Sequence, residues 1–147
     1  MSIALLDVNV LVALFDAMHV NHEDAHRWFG LNKARGWSTC PITLNGCIRV
    51  LSNPAYPSVT ATPAEVAERL RDLCATPHHH FWPDSVSLTD ETLFRRQMIG
   101  GHQSVTDVYL LGLAVHNHGR LATFDRSIPV KAVHGAAASN LALLAAV

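Results

Sequence analysis

The sequence predicts an α/β domain whose central, mainly parallel sheet is covered on both faces. Two observations carry that expectation. Short apolar runs suited to buried strands alternate with longer segments of helical periodicity. Apolar residues make up 49% of the chain and charged residues only 16%, which suits a sheet buried on both sides and excludes a disordered chain. At 147 residues the whole chain, 1–147, is expected to form one domain with its own core.

The elements follow in order. Ile3 to Leu6 reads as a buried strand, and Asp7 stands where a helix cap belongs, ahead of Val8 to Phe15. A second helix starts near Asn21, with Ala25, Trp28 and Phe29 on one face. Trp37 to Cys40 is strand-like and is stopped by Pro41. From Ile42 to Ser52 the residues Leu44, Cys47, Ile48 and Leu51 recur at helical spacing, and Asn45 and Arg49 project together from a neighbouring face. After a loop at Asn53-Pro54-Ala55-Tyr56-Pro57, Thr62, Pro63 and Glu65 spell a capping box. The helix behind it buries Val66, Leu70, Leu73 and Cys74. A strand near His80 to Trp82 and a helix from about Asp90 to Met98 come next. Gly100-Gly101 breaks the chain before a long apolar helix opened by Ser104 and Asp107. Gly119 ends that helix, Leu121 to Phe124 is the last strand read, and Asp125 follows it.

Composition narrows the function. Eleven Lys and Arg against twelve Asp and Glu leave a formal charge of -1, unlike a polycation that grips nucleic acid by net charge. No apolar run is long enough to span a bilayer, and the first residues lack the basic start of a secretory signal, so no membrane partner is expected. Three cysteines without a Cys-x-x-Cys pair read as buried reduced thiols of a cytoplasmic protein.

Three acids occupy equivalent places. Asp7 follows the first strand, Asp125 follows a late strand, and Asp107 lies in the first turn of the long helix. In parallel α/β sheets the carboxyl ends of strands and the starts of helices share the edge where ligands bind. Carboxylates gathered there repel one another unless a cation sits among them, and Mg²⁺ or Mn²⁺ is the natural occupant. Such an ion activates water and neutralises charge on a phosphate. Each acid also has a local role open to it: Asp7 as a helix cap, Asp107 in a capping box with Ser104, Asp125 as a turn residue before Arg126-Ser127.

Four stretches carry a family resemblance. They are Leu5-Leu6-Asp7-Val8-Asn9-Val10-Leu11; Thr39-Cys40-Pro41-Ile42-Thr43 running into Ile48-Arg49-Val50-Leu51-Ser52; Val105-Thr106-Asp107-Val108-Tyr109-Leu110-Leu111; and Gly119-Arg120-Leu121-Ala122-Thr123-Phe124-Asp125. In this order they resemble the PIN-domain ribonucleases, specifically the VapC-type toxins of type II toxin–antitoxin pairs. The resemblance implies a three-layer α/β/α sandwich and a Mg²⁺- or Mn²⁺-dependent endoribonuclease that hydrolyses RNA. It implies a homodimer and a small cognate antitoxin protein whose tail covers the acidic pocket. It makes Asp7, Asp107 and Asp125 the catalytic and metal-binding acids, with Asn9 and Thr123 lining the site. One departure is visible: where the family commonly has a glutamate in the helix after Pro41, this chain has Asn45, which carries no charge. Weaker metal binding without loss of the site is the expectation.

Other residues are ambiguous by sequence. Arg49 and Arg126 suit either phosphate contact or solvent. His19, His22 and His26 have helix-like spacing, but no nearby acid or cysteine completes a convincing zinc set, and they read as surface histidines. Trp28, Phe29 and Leu110 to Val115 read as core or dimer surface. Two alternatives to the enzyme stand: a catalytically weak or silent PIN-like RNA- or protein-binding module, and a phospho-receiver domain. The latter lacks an acidic pair after its first strand.

Overall fold

The structure, a computed structural model, describes residues 2–144. Five strands form one sheet: β1 (Ala4–Leu6), β2 (Trp37–Thr39), β3 (His79–Phe81), β4 (Arg120–Thr123) and β5 (Leu141–Leu143). Their spatial order is β3-β2-β1-β4-β5, and every pair is parallel. The long helices are α1 (Val8–Phe15), α2 (His22–Asn32), α3 (Pro41–Leu51), α4 (Pro63–Cys74) and α5 (Val105–His116).

Alternation along each strand splits the core in two. Ala4, Leu6 and Ala122 point to a cluster with α1 to α4, including Leu11, Phe29, Leu51 and Leu70. Leu5 and Leu121 point the other way, to a cluster with α5, Trp82, Phe94, Ile128 and Val133. This is the period of two expected of a sheet buried on both faces. The three-layer α/β/α arrangement predicted above is therefore present.

Local chemistry explains where the elements begin. The capping box holds: the Glu65 N–H donates to Thr62 Oγ1 at 3.1 Å and the Thr62 N–H to Glu65 Oε1 at 3.0 Å. In α3 the Cys40 N–H donates to Thr43 Oγ1 at 3.1 Å, with Pro41 in the first turn. Gly46 lets α3 approach the start of α1, since a Cβ there would lie 2.6 Å from Val8 Cγ2. No helix among the described residues is long and apolar enough to cross a membrane. Cys40, Cys47 and Cys74 are free, the first two buried and Cys74 only half-buried.

Two expectations fail. Residues 90–98 are not a helix. The Asp90 carboxylate accepts the Thr92 N–H at 2.9 Å and the Thr92 hydroxyl at 2.6 Å, a side-chain turn that competes with helix formation. Beyond it Phe94 forms an antiparallel bridge with Val133, and the only helical turn is a 3-10 one at Arg96–Met98. The bridge is reinforced by Arg95 N–H to the Ala132 carbonyl and His134 N–H to the Leu93 carbonyl, both 2.8 Å. The other failure is β5, an edge strand absent from the sequence reading.

Two of the three spaced histidines find a structural use. His22 Nδ1 lies 2.7 Å from the Ala13 carbonyl and His26 Nε2 lies 2.8 Å from the Leu14 carbonyl. Arg69 donates to the Phe15 carbonyl at 3.2 Å. Each satisfies a carbonyl that the end of α1 leaves unpaired. His22 and His26 thus cap a helix, and a zinc role for the group is not needed.

Candidate active site

The order β3-β2-β1-β4-β5 reverses between β1 and β4, which places a crevice at the carboxyl ends of these two strands. Asp7 leaves β1 there. It is 5% exposed, and both of its oxygens are engaged: Oδ1 accepts the Val8 N–H at 2.7 Å and Oδ2 accepts the Thr123 hydroxyl at 2.7 Å. Asp7 is therefore both the cap of α1 and a member of the site. Thr123, at the end of β4, is the hub. Its Oγ1 accepts the Asp125 N–H at 3.0 Å and the Asn9 side-chain N–H at 3.3 Å. Asn9 Oδ1 accepts the Phe124 N–H at 3.4 Å in return. Asp125 is set by a turn of its own, accepting the Ser127 N–H at 2.8 Å and the Ser127 hydroxyl at 2.7 Å.

Asp107 enters from the first turn of α5, where negative charge suits the helix start. Ser104 makes no capping bond, so the capping-box role for Asp107 is not realised. Instead Asp107 interacts electrostatically with Asp125 and Asp7. Burial, the Asp7 charge and the neighbouring Asp125 carboxylate together push its carboxyl up to about 7. Burial also raises Asp7, against the Thr123 and Val8 bonds. The two Ser127 bonds hold Asp125 below the usual range. The three acids thus feel one another, with Asp107 carrying the proton that the cluster keeps. Among the described residues no three His, Cys, Asp or Glu side chains form a ready cage for an ion.

The folded Asp107 carboxyl titrates near 7 and its ordinary value is 3.8, so the folded state retains a proton that the unfolded chain has lost. Its stabilising contribution is full below the ordinary value and disappears as pH rises through about 7. In thermal melts without divalent ions, Asp107→Asn should gain on the wild type as pH increases across that window. A constant difference would show that Asp107 is not coupled to its neighbours.

The flanking residues divide. Asp7, Asn9 and Asp107 line one cleft of about 380 Å³, which extends to Val12, His19, Val50 and Tyr56. Asn45 and Arg49 are exposed on α3 and line an adjoining cavity of about 530 Å³ with Val8, Ile42 and Thr106. Asn45 therefore stands beside the acid cleft rather than in it. The sequence reading missed Asp16, which is 2% exposed at the end of α1. It accepts the Tyr56 hydroxyl at 2.6 Å, the Ser58 hydroxyl at 2.7 Å and the Met18 N–H at 3.0 Å. These bonds, foremost among them Tyr56 and Ser58, outweigh burial and hold its carboxyl below the usual range. An acid at a helix C-terminus opposes the helix dipole, and that mismatch was the available signal.

The PIN domain family matches residues 4–133. Ribonuclease VapC44 of Mycobacterium tuberculosis is 48% identical over 141 residues, covering 96% of this chain and 99% of that protein. The chain is a VapC-type PIN-domain protein. Ribonuclease VapC39 of the same organism is 42% identical over 132 residues, 90% of this chain and 95% of that one. A solved VapC20 from M. tuberculosis, described as a sarcin-ricin loop cleaving toxin, aligns with TM-score 0.61. It covers 88% of this VapC-type chain and 98% of its own, at 12% identity, and so speaks to the fold alone. Membership of this family removes the phospho-receiver alternative.

Proposed function

We propose that this single PIN-like domain, residues 1–147, is a Mg²⁺- or Mn²⁺-dependent endoribonuclease and the toxin of a toxin–antitoxin pair. The observation that carries the reading is the convergence of Asp7, Asp107 and Asp125 at the sheet's switch point, coupled closely enough for Asp107 to hold its proton near neutrality. Such a donor set fits a hard cation held by one or two carboxylates and completed by water and substrate phosphate, and it does not require a three-residue cage. When bound, the ion supplies water activation and neutralises charge on the phosphodiester.

The chain's own groups do the remaining work. Thr123 and the Val8 N–H hold Asp7 in one orientation, and Asn9 holds Thr123. Ser127 fixes Asp125, and Asp107, its carboxyl pushed up to about 7, would in its ionised form help to hold the cation. Arg49, beside the cleft, suits a phosphate of the RNA strand. Hydrolysis adds one water across the P–O bond, leaving a phosphate end on one fragment and a hydroxyl on the other. The remaining expectations belong to the same reading: a homodimer, an RNA substrate, a cytoplasmic location and a small antitoxin. Met18 and Val20, 79% and 91% exposed, flank the cleft residue His19 in sequence and offer such a partner apolar surface.

The test is end mapping of RNA incubated with the purified chain, with and without Mg²⁺ or Mn²⁺. Discrete ion-dependent cuts are expected, and EDTA should abolish them. RNA left whole under all conditions would favour a binding module instead. Asn45→Glu returns a charge beside the cleft, and the half-saturating Mg²⁺ concentration for cleavage is expected to fall several-fold. An unchanged ion dependence would show that position 45 does not reach the ion.

A further inference from the structure

The acid cleft has a second end that hydrolysis does not explain. Besides Asp7 and Asp107 it is lined by Val12 of α1, Val50 of α3, His19 and Tyr56. Two loops bring His19 and Tyr56 there, and the buried Asp16 carboxylate ties them together. It takes the Met18 N–H from one loop and the Tyr56 and Ser58 hydroxyls from the other. Burying a carboxylate is costly without strong donors. Here three donors fix two walls of the cleft.

The polar atoms of those walls are already assigned. The Tyr56 hydroxyl is committed to Asp16, which leaves the ring as the part of this lining residue free to meet a ligand. His19 Nδ1 accepts the Asn21 N–H at 3.0 Å, which places the proton of the neutral ring on Nε2. The result is a preformed slot with two valines, one aromatic ring and one oriented donor, adjoining the carboxylates. A phosphate gains little from valines and phenol. A flat aromatic heterocycle with acceptors on its edge gains from all of them.

We propose that this arm of the cleft is a nucleobase subsite, in which a base flanking the scissile phosphodiester stacks on Tyr56 and accepts a hydrogen bond from His19. The assignment rests on the endoribonuclease reading for its biological meaning, and its physical content can be tested apart from cleavage. Tyr56 and His19 then determine which nucleotide lies next to the cut, while the carboxylates perform the cut.

The first arm of the test uses AMP, GMP, CMP and UMP with the full chain and no divalent ion, read by saturation-transfer NMR. At least one base should receive saturation more strongly than its ribose. That signal should survive in Tyr56→Phe, which keeps the ring, and be lost in Tyr56→Leu, with melting curves confirming that both fold. No transfer to any base, or transfer unchanged in Tyr56→Leu, overturns the subsite. The second arm maps cleavage of a random-sequence RNA pool. Tyr56→Leu should raise KM by about tenfold, the scale of one lost base stack. His19→Gln and His19→Ala should flatten the base preference beside the cut. Wild-type KM and preference in all three variants overturn the proposal even if RNA is cut. Base contacts that pass the first arm in a protein that cuts no RNA would uphold the subsite and reject the nuclease reading.

Discussion

Asp7→Asn is expected to reduce RNA cleavage by about 10³-fold or more while the protein remains folded. The substitution removes the negative charge at the switch point, where the Asp107 and Asp125 carboxyls gather. Its structural cost is limited by two opposing effects. An amide has one acceptor oxygen in place of two, so either the Val8 N–H or the Thr123 hydroxyl loses its partner. Against that, burial raises the Asp7 carboxyl, so its ionised form is a burden to the metal-free fold at neutral pH and the amide relieves it. The net change in stability should stay within about 1 kcal/mol. Cleavage time courses and melting curves on the same preparation separate the outcomes. Full activity in a folded Asp7→Asn protein would remove Asp7 from the chemistry.

Phe94→Ala is the largest expected change in stability. Phe94 is 1% exposed, and its ring lies so close over α5 that a Cβ at Gly112 would stand 2.2 Å from the ring Cζ. Deleting a buried Phe ring costs about 3–5 kcal/mol. For a chain of this size the melting temperature should fall by roughly 10–20 °C. Because Phe94 also forms the bridge to Val133, the loss should loosen the segment packed on α5, the helix that bears Asp107. Denaturant unfolding measures the effect, and a cost below about 1 kcal/mol would show that the neighbours refill the space.

What the sequence revealed depended on range. The step from Leu6 through Asp7 into α1 was legible because strand, cap and helix are consecutive, and the Thr62–Glu65 box because its two bonds close within four residues. The stretch 90–98 was not, since Leu93, Phe94 and Met98 fit a helical face as well as they fit a strap. The deciding bonds run from Arg95 to Ala132 and from His134 to Leu93, across about forty residues. β5 lacks β-branched residues and sits in a run of small apolar ones, so nothing local distinguishes it from a loop. In the site, the three acids were readable from their places after strands and in a first helical turn. Thr123 was equally compatible with strand propensity, and only its bonds to Asp7, Asn9 and Asp125 make it the hub. The Asp16–Tyr56 pair joins residues 40 apart through a side-chain contact that no periodicity encodes.

The Thr123 hydroxyl meets Asp7 across a sequence separation of 116 residues. During translation the N-terminal acid therefore emerges long before the strand that orients it, and a partly synthesised chain lacks both Thr123 and Asp125. On the proposed nuclease reading, a chain released before residue 123 should be unable to cleave RNA, because it has neither the hydroxyl that orients Asp7 nor the third acid.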